Sequence, residues 1–363
     1  MDIYEFAFPL AYSLEWYSTL VSFDIYKDKL NLGFHAIISM SVVGSIVSAI
    51  ISHVIPKFRH LISLKGFCYI QIILYAVGLT LLKNTSTIEM QIIAKLFCGA
   101  GAGILFSCYD LWLCLHVEIN KLDYKSINGS ALFWNNIIAV FLGITVESTP
   151  NLYWLLLISV SAAVYKFENH KFEDFIDGGG SRTPIPLTQN GFYPLLCCQV
   201  FFECSIILFV FAWQNIYGLY EGLIGQSKMF SVLMLTSGIA SRMSKHLHFG
   251  YLRSLMVLST VLFVLLYLLP SHSLMISTFL IFECTVGMFF PFIGAIREQW
   301  SPSTRERYQS MSQVLINMVV AIVVITANIV EFNENQFIVL IVASMCIAAY
   351  FSFLVIPNQI KNA

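Results

Sequence analysis

Twelve apolar runs, each about as long as a bilayer is thick, leave this chain few ways to fold. They lie near residues 4–23, 33–55, 64–82, 88–116, 129–147 and 151–166, and then near 191–215, 226–241, 250–270, 272–297, 308–330 and 336–357. A helix needs roughly 20 apolar residues to cross the hydrocarbon, so such runs account for most of the 363 residues. Only short connectors remain, and a large soluble catalytic domain does not fit. With 58% of positions hydrophobic and 11% charged, polar surface is too scarce to coat a water-soluble globule. The runs lack the ten-residue alternation of outer-membrane strands, and lipid cannot satisfy open backbone. The expected class is an all-α membrane protein with twelve transmembrane helices.

Between the sixth and seventh runs, Glu168 to Asn190 is polar and carries Gly178-Gly-Gly-Ser-Arg-Thr-Pro-Ile-Pro186, the composition of a flexible linker. The expected organisation is therefore an amino-terminal six-helix half at 1–166, a cytoplasmic linker at 167–190 and a carboxy-terminal six-helix half at 191–363. Near-equal halves suggest duplication, as in many transporters. Cytoplasmic loops carry the excess of Lys and Arg. Fifteen loop basic residues fall in one alternate set of loops, and only Lys27, Lys29, Lys83 and Lys228 in the other, which places both termini in the cytoplasm. Met1 to Tyr12 contains Asp2 and Glu5 but no Lys or Arg, unlike a secretory signal.

The 20 Lys and Arg nearly cancel the 21 Asp and Glu, and they form no basic stripe, which excludes nucleic acid as a partner. The nine cysteines all lie in apolar runs without metal or disulfide spacing, and the eight histidines show no metal-ligand pattern. His-Glu-x-x-His, Gly-x-Ser-x-Gly and the P-loop are missing, so neither a cofactor, a metal nor an enzymatic reaction is expected. Gly99-Ala-Gly-Ala-Gly103 lacks the third glycine of a dinucleotide fingerprint and follows no strand. Its small residues fit close helix packing instead.

Charges inside a membrane segment cost roughly 2.5 to 3.5 kcal/mol on insertion scales and face a protein interior or a wet cavity. Five stand out: Glu15 in the first run, Lys95 and Asp110 in the fourth, Glu203 in the seventh and Glu283 in the tenth. These runs are the leading helices of four three-helix units if each half is itself doubled, and a matched placement of the acids suggests one shared cavity. Short local likenesses accompany it, such as Cys108-Tyr-Asp-Leu-Trp112 beside Ile281-Phe-Glu-Cys284. Lys95 is either the counter-ion of a neighbouring acid or the donor for an anionic substrate.

From Phe106-Ser-Cys-Tyr-Asp-Leu-Trp-Leu-Cys-Leu-His-Val-Glu118 onward the chain resembles the molybdate-anion transporter family, a branch of the major facilitator superfamily. The likeness continues through Ala131-Leu-Phe-Trp-Asn-Asn-Ile-Ile-Ala-Val140 with Gly143, Gln199-Val-Phe-Phe-Glu203 with Phe209-Val-Phe-Ala-Trp213, and Phe282-Glu-Cys-Thr-Val-Gly-Met-Phe-Phe-Pro291. Glu15-Trp16 stands where the family has Asp-Trp, and Lys95 where it has Arg. The acidic Gly-Arg loop after the second helix is replaced by Val54-Ile-Pro-Lys-Phe-Arg-His60, and the Thr-Pro after Trp213 by Gln214-Asn215.

The resemblance implies a major facilitator fold, two six-helix halves with pseudo-two-fold symmetry, acting as a secondary transporter of a molybdate-like oxyanion. The residues themselves imply only a small polar solute. Lys95 would take the anion, while Asn135, Gln199, Trp112 and Trp213 would supply neutral donors and shape. Glu15, Asp110, Glu203 and Glu283 would pair with Lys95 or carry protons, since ionised acids repel an oxyanion and burial favours the neutral carboxyl. The expected setting is a monomer in a bilayer, by resemblance the plasma membrane. A cation or neutral metabolite as substrate, and a non-transporting receptor or scaffold, are the alternatives.

Overall fold

In a computed structural model, the described residues are 3–26, 30, 32, 34–58, 61–145, 149, 151–166, 191–218, 226–300, 302–330 and 332–355. The linker at 167–190, and Arg59 and His60 of the loop after the second helix, lie outside them. Among these residues twelve long helices run in order: α1 (Ile3–Asp24), α2 (Phe34–Phe58), α3 (Leu64–Asn84), α4 (Ile88–Asn120), α5 (Tyr124–Thr145), α6 (Leu152–Tyr165), α7 (Phe192–Gly218), α8 (Gln226–Met243), α9 (Phe249–Leu268), α10 (His272–Glu298), α11 (Pro302–Val330) and α12 (Glu334–Leu354). No strand occurs among the described residues.

Eight of these helices are long and apolar enough to cross a membrane, among them Leu64–Asn84, Ile88–Asn120 and His272–Glu298. Ser39–Ile55 and Leu152–Tyr165 form shorter apolar helices. Aliphatic side chains such as Ile158, Leu268 and Ile329 stand exposed, as a lipid-facing surface requires. The chain is a multi-pass membrane protein.

Short polar signals set the helix ends. The Ser63 hydroxyl accepts from the Gly66 N–H at 3.1 Å to start α3, and Asn333 and Gln336 form a reciprocal capping box at the start of α12. Between α3 and α4, the buried Gln91 amide donates to the Leu82 and Thr85 carbonyls at 3.0 and 2.8 Å. It thereby covers carbonyls that the end of α3 leaves without helical donors. Lys121 closes α4 in the left-handed region, with φ 52°.

The chain divides into two compact units. One comprises Met1–Asp123, Phe141–Arg182 and Gln309–Thr326; the other comprises Tyr124–Val140, Thr183–Tyr308 and Ala327–Ala363. The beginning of α5 is thus counted with helices that follow it in sequence, and the middle of α11 with helices that precede it. In the first unit, His53 of α2 lies 3.2 Å from the Ser310 hydroxyl, and the Gln309 amide donates to the Phe106 carbonyl at 3.4 Å. In the second, Lys125 of α5 donates to the Leu247 carbonyl at 2.8 Å, with its ammonium 3.9 Å from the Phe292 ring centroid. Arg242 of α8 reaches the Ser130 hydroxyl of α5 at 2.5 Å.

The same seam joins α2 to α4 in the first unit and α8 to α10 in the second. A Cβ on Gly103 of α4 would lie 2.6 Å from the Ser48 carbonyl oxygen of α2, and the Ser52 hydroxyl donates to the Gly103 carbonyl at 3.1 Å. A Cβ on Gly287 of α10 would lie 2.1 Å from the Ser237 carbonyl oxygen of α8, and the Ser241 hydroxyl donates to the Gly287 carbonyl at 2.8 Å. Two serines four residues apart therefore grip one glycine in both units. Small residues drive such packing in a membrane because they let backbones meet.

The seam also repairs a helix defect. Pro291 has no N–H, so the Gly287 carbonyl four residues earlier loses its helical donor, and Ser241 replaces it. Ser241→Ala leaves a buried carbonyl unpaired and should cost about 1–3 kcal/mol. A lower thermal midpoint in detergent, with no comparable change for the exposed Ser254→Ala, checks this.

The seam corrects the sequence register. Taking Gly103 and Gly287 as equivalent in their own seams makes Glu283 the counterpart of Gly99, not of Asp110 as the local likeness of Cys108–Trp112 to Ile281–Cys284 suggests. The physical reason is that backbone approach at glycine fixes helix register, whereas a short aromatic-acidic match does not.

Candidate functional site

The first unit gathers charged and polar side chains from α1, α3 and α4. Glu15 lies near the middle of α1 and is partly exposed. The Tyr75 hydroxyl of α3 donates to Glu15 Oε2 at 2.7 Å. Lys95 of α4 acts electrostatically on Glu15, and its ammonium sits 5.9 Å from the Tyr26 ring centroid beyond the end of α1. Glu15 and Lys95, both expected as site residues, are thus within electrostatic reach of each other.

Glycines hold this arrangement. A Cβ on Gly99 would stand 2.3 Å from the Gly44 carbonyl oxygen, so α2 and α4 touch through their backbones one turn after Lys95. A Cβ on Gly101 would meet the Tyr75 ring at 2.8 Å. Its absence lets that ring lie against α4 while the hydroxyl reaches Glu15. The Gly99–Gly103 run is a packing element, as its spacing predicts, and it also seats a site residue.

Below this level α4 changes character. Leu105–Tyr109 forms a π turn before α-helical geometry resumes at Asp110, a feature frequent at functional sites. Aromatic rings of α1 pack on it: Phe8 on Tyr109 at 6.4 Å, Tyr12 on Phe106 at 5.7 Å and Tyr4 on Trp112 at 5.6 Å between centroids. Trp112 is fully buried in this stack. Asp110 follows Lys95 by 15 residues on the same helix, about 22 Å along its axis at 1.5 Å per residue. That distance separates it from Lys95 and removes the direct pairing expected of the two.

In the second unit, the buried Gln199 amide donates to Glu203 Oε1 at 2.6 Å, one turn apart on α7. Glu283 is buried on α10, where the Ser237 side chain of α8 lies close enough to act on it. Asn135 and Trp213 are also buried. Glu15, Glu203 and Glu283 all lie near the midpoints of their helices, whereas Lys95 and Asp110 are displaced toward opposite ends of α4. Sequence reasoning missed Tyr75, Tyr26 and Ser237. Tyrosine and serine are common in apolar helices, so only contact with an acid or a cation marks them. Among the described residues no group of three His, Cys, Asp or Glu side chains is placed to hold a metal ion.

No family model matches the chain. Its fold resembles that of solved transporters at low identity. The human organic anion transporter MFSD10 matches with TM-score 0.70 and 11% identity, over 98% of each chain. A bacterial homologue of the iron transporter ferroportin matches with TM-score 0.72 and 10% identity, over 97% of this chain and 98% of that one. The Escherichia coli fucose:proton symporter matches with TM-score 0.65 and 11% identity, over 96% and 97%. Across nearly their whole lengths, then, what this chain shares with them is architecture, and that architecture is the major facilitator fold.

Proposed function

We propose that the protein is a secondary transporter that moves a small anion across a membrane by alternating access, with Lys95 as the anion-binding cation. The observation that carries this reading is an ammonium group in a membrane-spanning helix, beside Glu15, in a fold shared with transporters. An organic anion transporter and a proton symporter among the similar structures agree with it. The family resemblance narrows the anion to a molybdate-like oxyanion. On this reading the halves 1–166 and 191–363 exchange access about the linker 167–190 in a monomer, with both termini cytoplasmic, in the plasma membrane.

Charge arithmetic favours proton coupling. Moving one charge through 100 mV is worth about 2.3 kcal/mol, so a dianion entering against an inside-negative potential costs about 4.6 kcal/mol. Protons carried inward offset that term, and Glu15, Asp110, Glu203 and Glu283 are the groups proposed to carry them or to balance charge, with Gln199, Asn135, Trp112 and Trp213 shaping the site. Molybdate uptake into proteoliposomes should rise with an inward proton gradient and respond to imposed voltage. Indifference to both would remove the coupling.

Glu15 favours one further reading, in which the substrate is a cation or neutral metabolite and Lys95 an internal counter-ion. Competition by amines or sugars, with none by oxyanions, would select it. Oxyanion binding without flux would instead indicate a receptor.

A further inference from the structure

Glu15 and Lys95 sense each other's charge, yet no ion pair joins them, and they are left half-used. Tyr75 occupies Glu15 Oε2, and Oε1 has no hydrogen-bond donor among the described residues. Lys95 makes no hydrogen bond or ion pair among those residues, and its ammonium lies 5.9 Å from the Tyr26 ring centroid. Both side chains are partly exposed. An acceptor and a cation held apart inside a membrane-spanning unit are expensive unless something bridges them.

We infer that the transported anion carries its own hydrogen-bond donor and bridges the two: its anionic end meets Lys95, and its donor meets Glu15 Oε1. This rests on the Lys95 site proposed above, but it takes Glu15 as an ionised acceptor and replaces the fully deprotonated oxyanion by a protonated monoanion or a zwitterion. A fully deprotonated oxyanion offers Glu15 only negative oxygen, and two acceptors facing each other repel. A monoprotonated oxyanion turns an O–H toward the carboxylate, and a zwitterion turns an ammonium toward it. With Glu15 ionised, the pair has no net charge, which suits a monoanion or a zwitterion better than a dianion. Where the donor is an acidic O–H, one coupled proton travels on the substrate itself.

The wild-type protein is tested at fixed pH by thermal shift and equilibrium binding with dihydrogen phosphate, glycine, nitrate and sulfate. The ranking expected is that dihydrogen phosphate or glycine binds at least about tenfold more tightly than nitrate and sulfate; which of the two wins tells hydroxyl donor from ammonium donor. In Glu15→Gln the amide can itself donate, so nitrate should gain and the ratio should fall to about twofold or less. Equal affinities in the wild type, binding of none of the four probes, or an unchanged ratio in Glu15→Gln overturns the inference, and the wild-type series decides it alone if the variant does not fold. Flux is measured separately. Discrimination without flux defeats the transport reading and leaves this one standing, whereas flux without discrimination does the reverse.

Discussion

Lys95→Gln should abolish anion uptake while the protein still inserts and folds. Truncating one partner of a desolvated charge interaction costs about 2–5 kcal/mol, which is a loss of roughly thirty- to several-thousand-fold in transport at subsaturating anion. Glutamine keeps the polarity of the position with a side chain one atom shorter, so the loss reports chiefly the charge. Proteoliposome uptake, alongside a size-exclusion profile of the purified variant, makes the comparison. Wild-type uptake by the variant would strip Lys95 of its role. Lys95→Gln also leaves Glu15 facing Tyr75 alone, so the double variant with Glu15→Gln should recover thermal stability and not transport.

The largest stability effect should come from the helix seams. In Gly287→Ala the new methyl would lie 2.1 Å from the Ser237 carbonyl oxygen, and in Gly99→Ala 2.3 Å from that of Gly44. Backbone atoms cannot swing aside as a side chain can. The helices must separate, which also stretches the Ser241–Gly287 bond and, on α10, disturbs Glu283 one turn away. Overpacking of this kind costs about 1–3 kcal/mol and sometimes more. Both variants should express poorly and melt well below the wild type. Gly250→Ala is the matched control, because nothing lies within 4 Å of its new methyl and alanine favours a helix. A Gly287→Ala protein as stable as Gly250→Ala would show that the seam does not hold the unit.

Much of this could be read along the chain because membranes impose a local cost. Each apolar run has to be a helix, since lipid satisfies no open backbone, and the runs anticipated all twelve helices to within a few residues at most ends. The same cost singled out Glu15 and Lys95: a charge in such a run is conspicuous whatever surrounds it. Gly99 and Gly103 were legible as packing residues for a related reason, since small residues four apart make one smooth stripe on a helix.

Partnership was not legible. Tyr75 is 60 residues from Glu15 in sequence, and nothing in the composition of α3 distinguishes a tyrosine that binds an acid from one that fills space. The π turn at Leu105–Tyr109 carries no glycine or proline to announce it. It arises in a helix packed on both sides, with Gln309 reaching its Phe106 carbonyl. Nor does sequence say that Gly287, one turn from Glu283, is where α10 meets α8, because register along paired helices is set where backbones meet.

By itself, then, the order of residues determined that this chain is a bundle of membrane-crossing helices and which few charges must be kept from lipid, because solvation in hydrocarbon is decided residue by residue. Tertiary structure alone decided which of those charges act on each other, that Lys95 lies within electrostatic reach of Glu15 while Asp110 lies about 22 Å from Lys95 along its helix, and that a tyrosine completes the group. Electrostatic pairing acts over a few ångströms in space, and only the packing of helices at their glycines brings residues far apart in sequence within that reach.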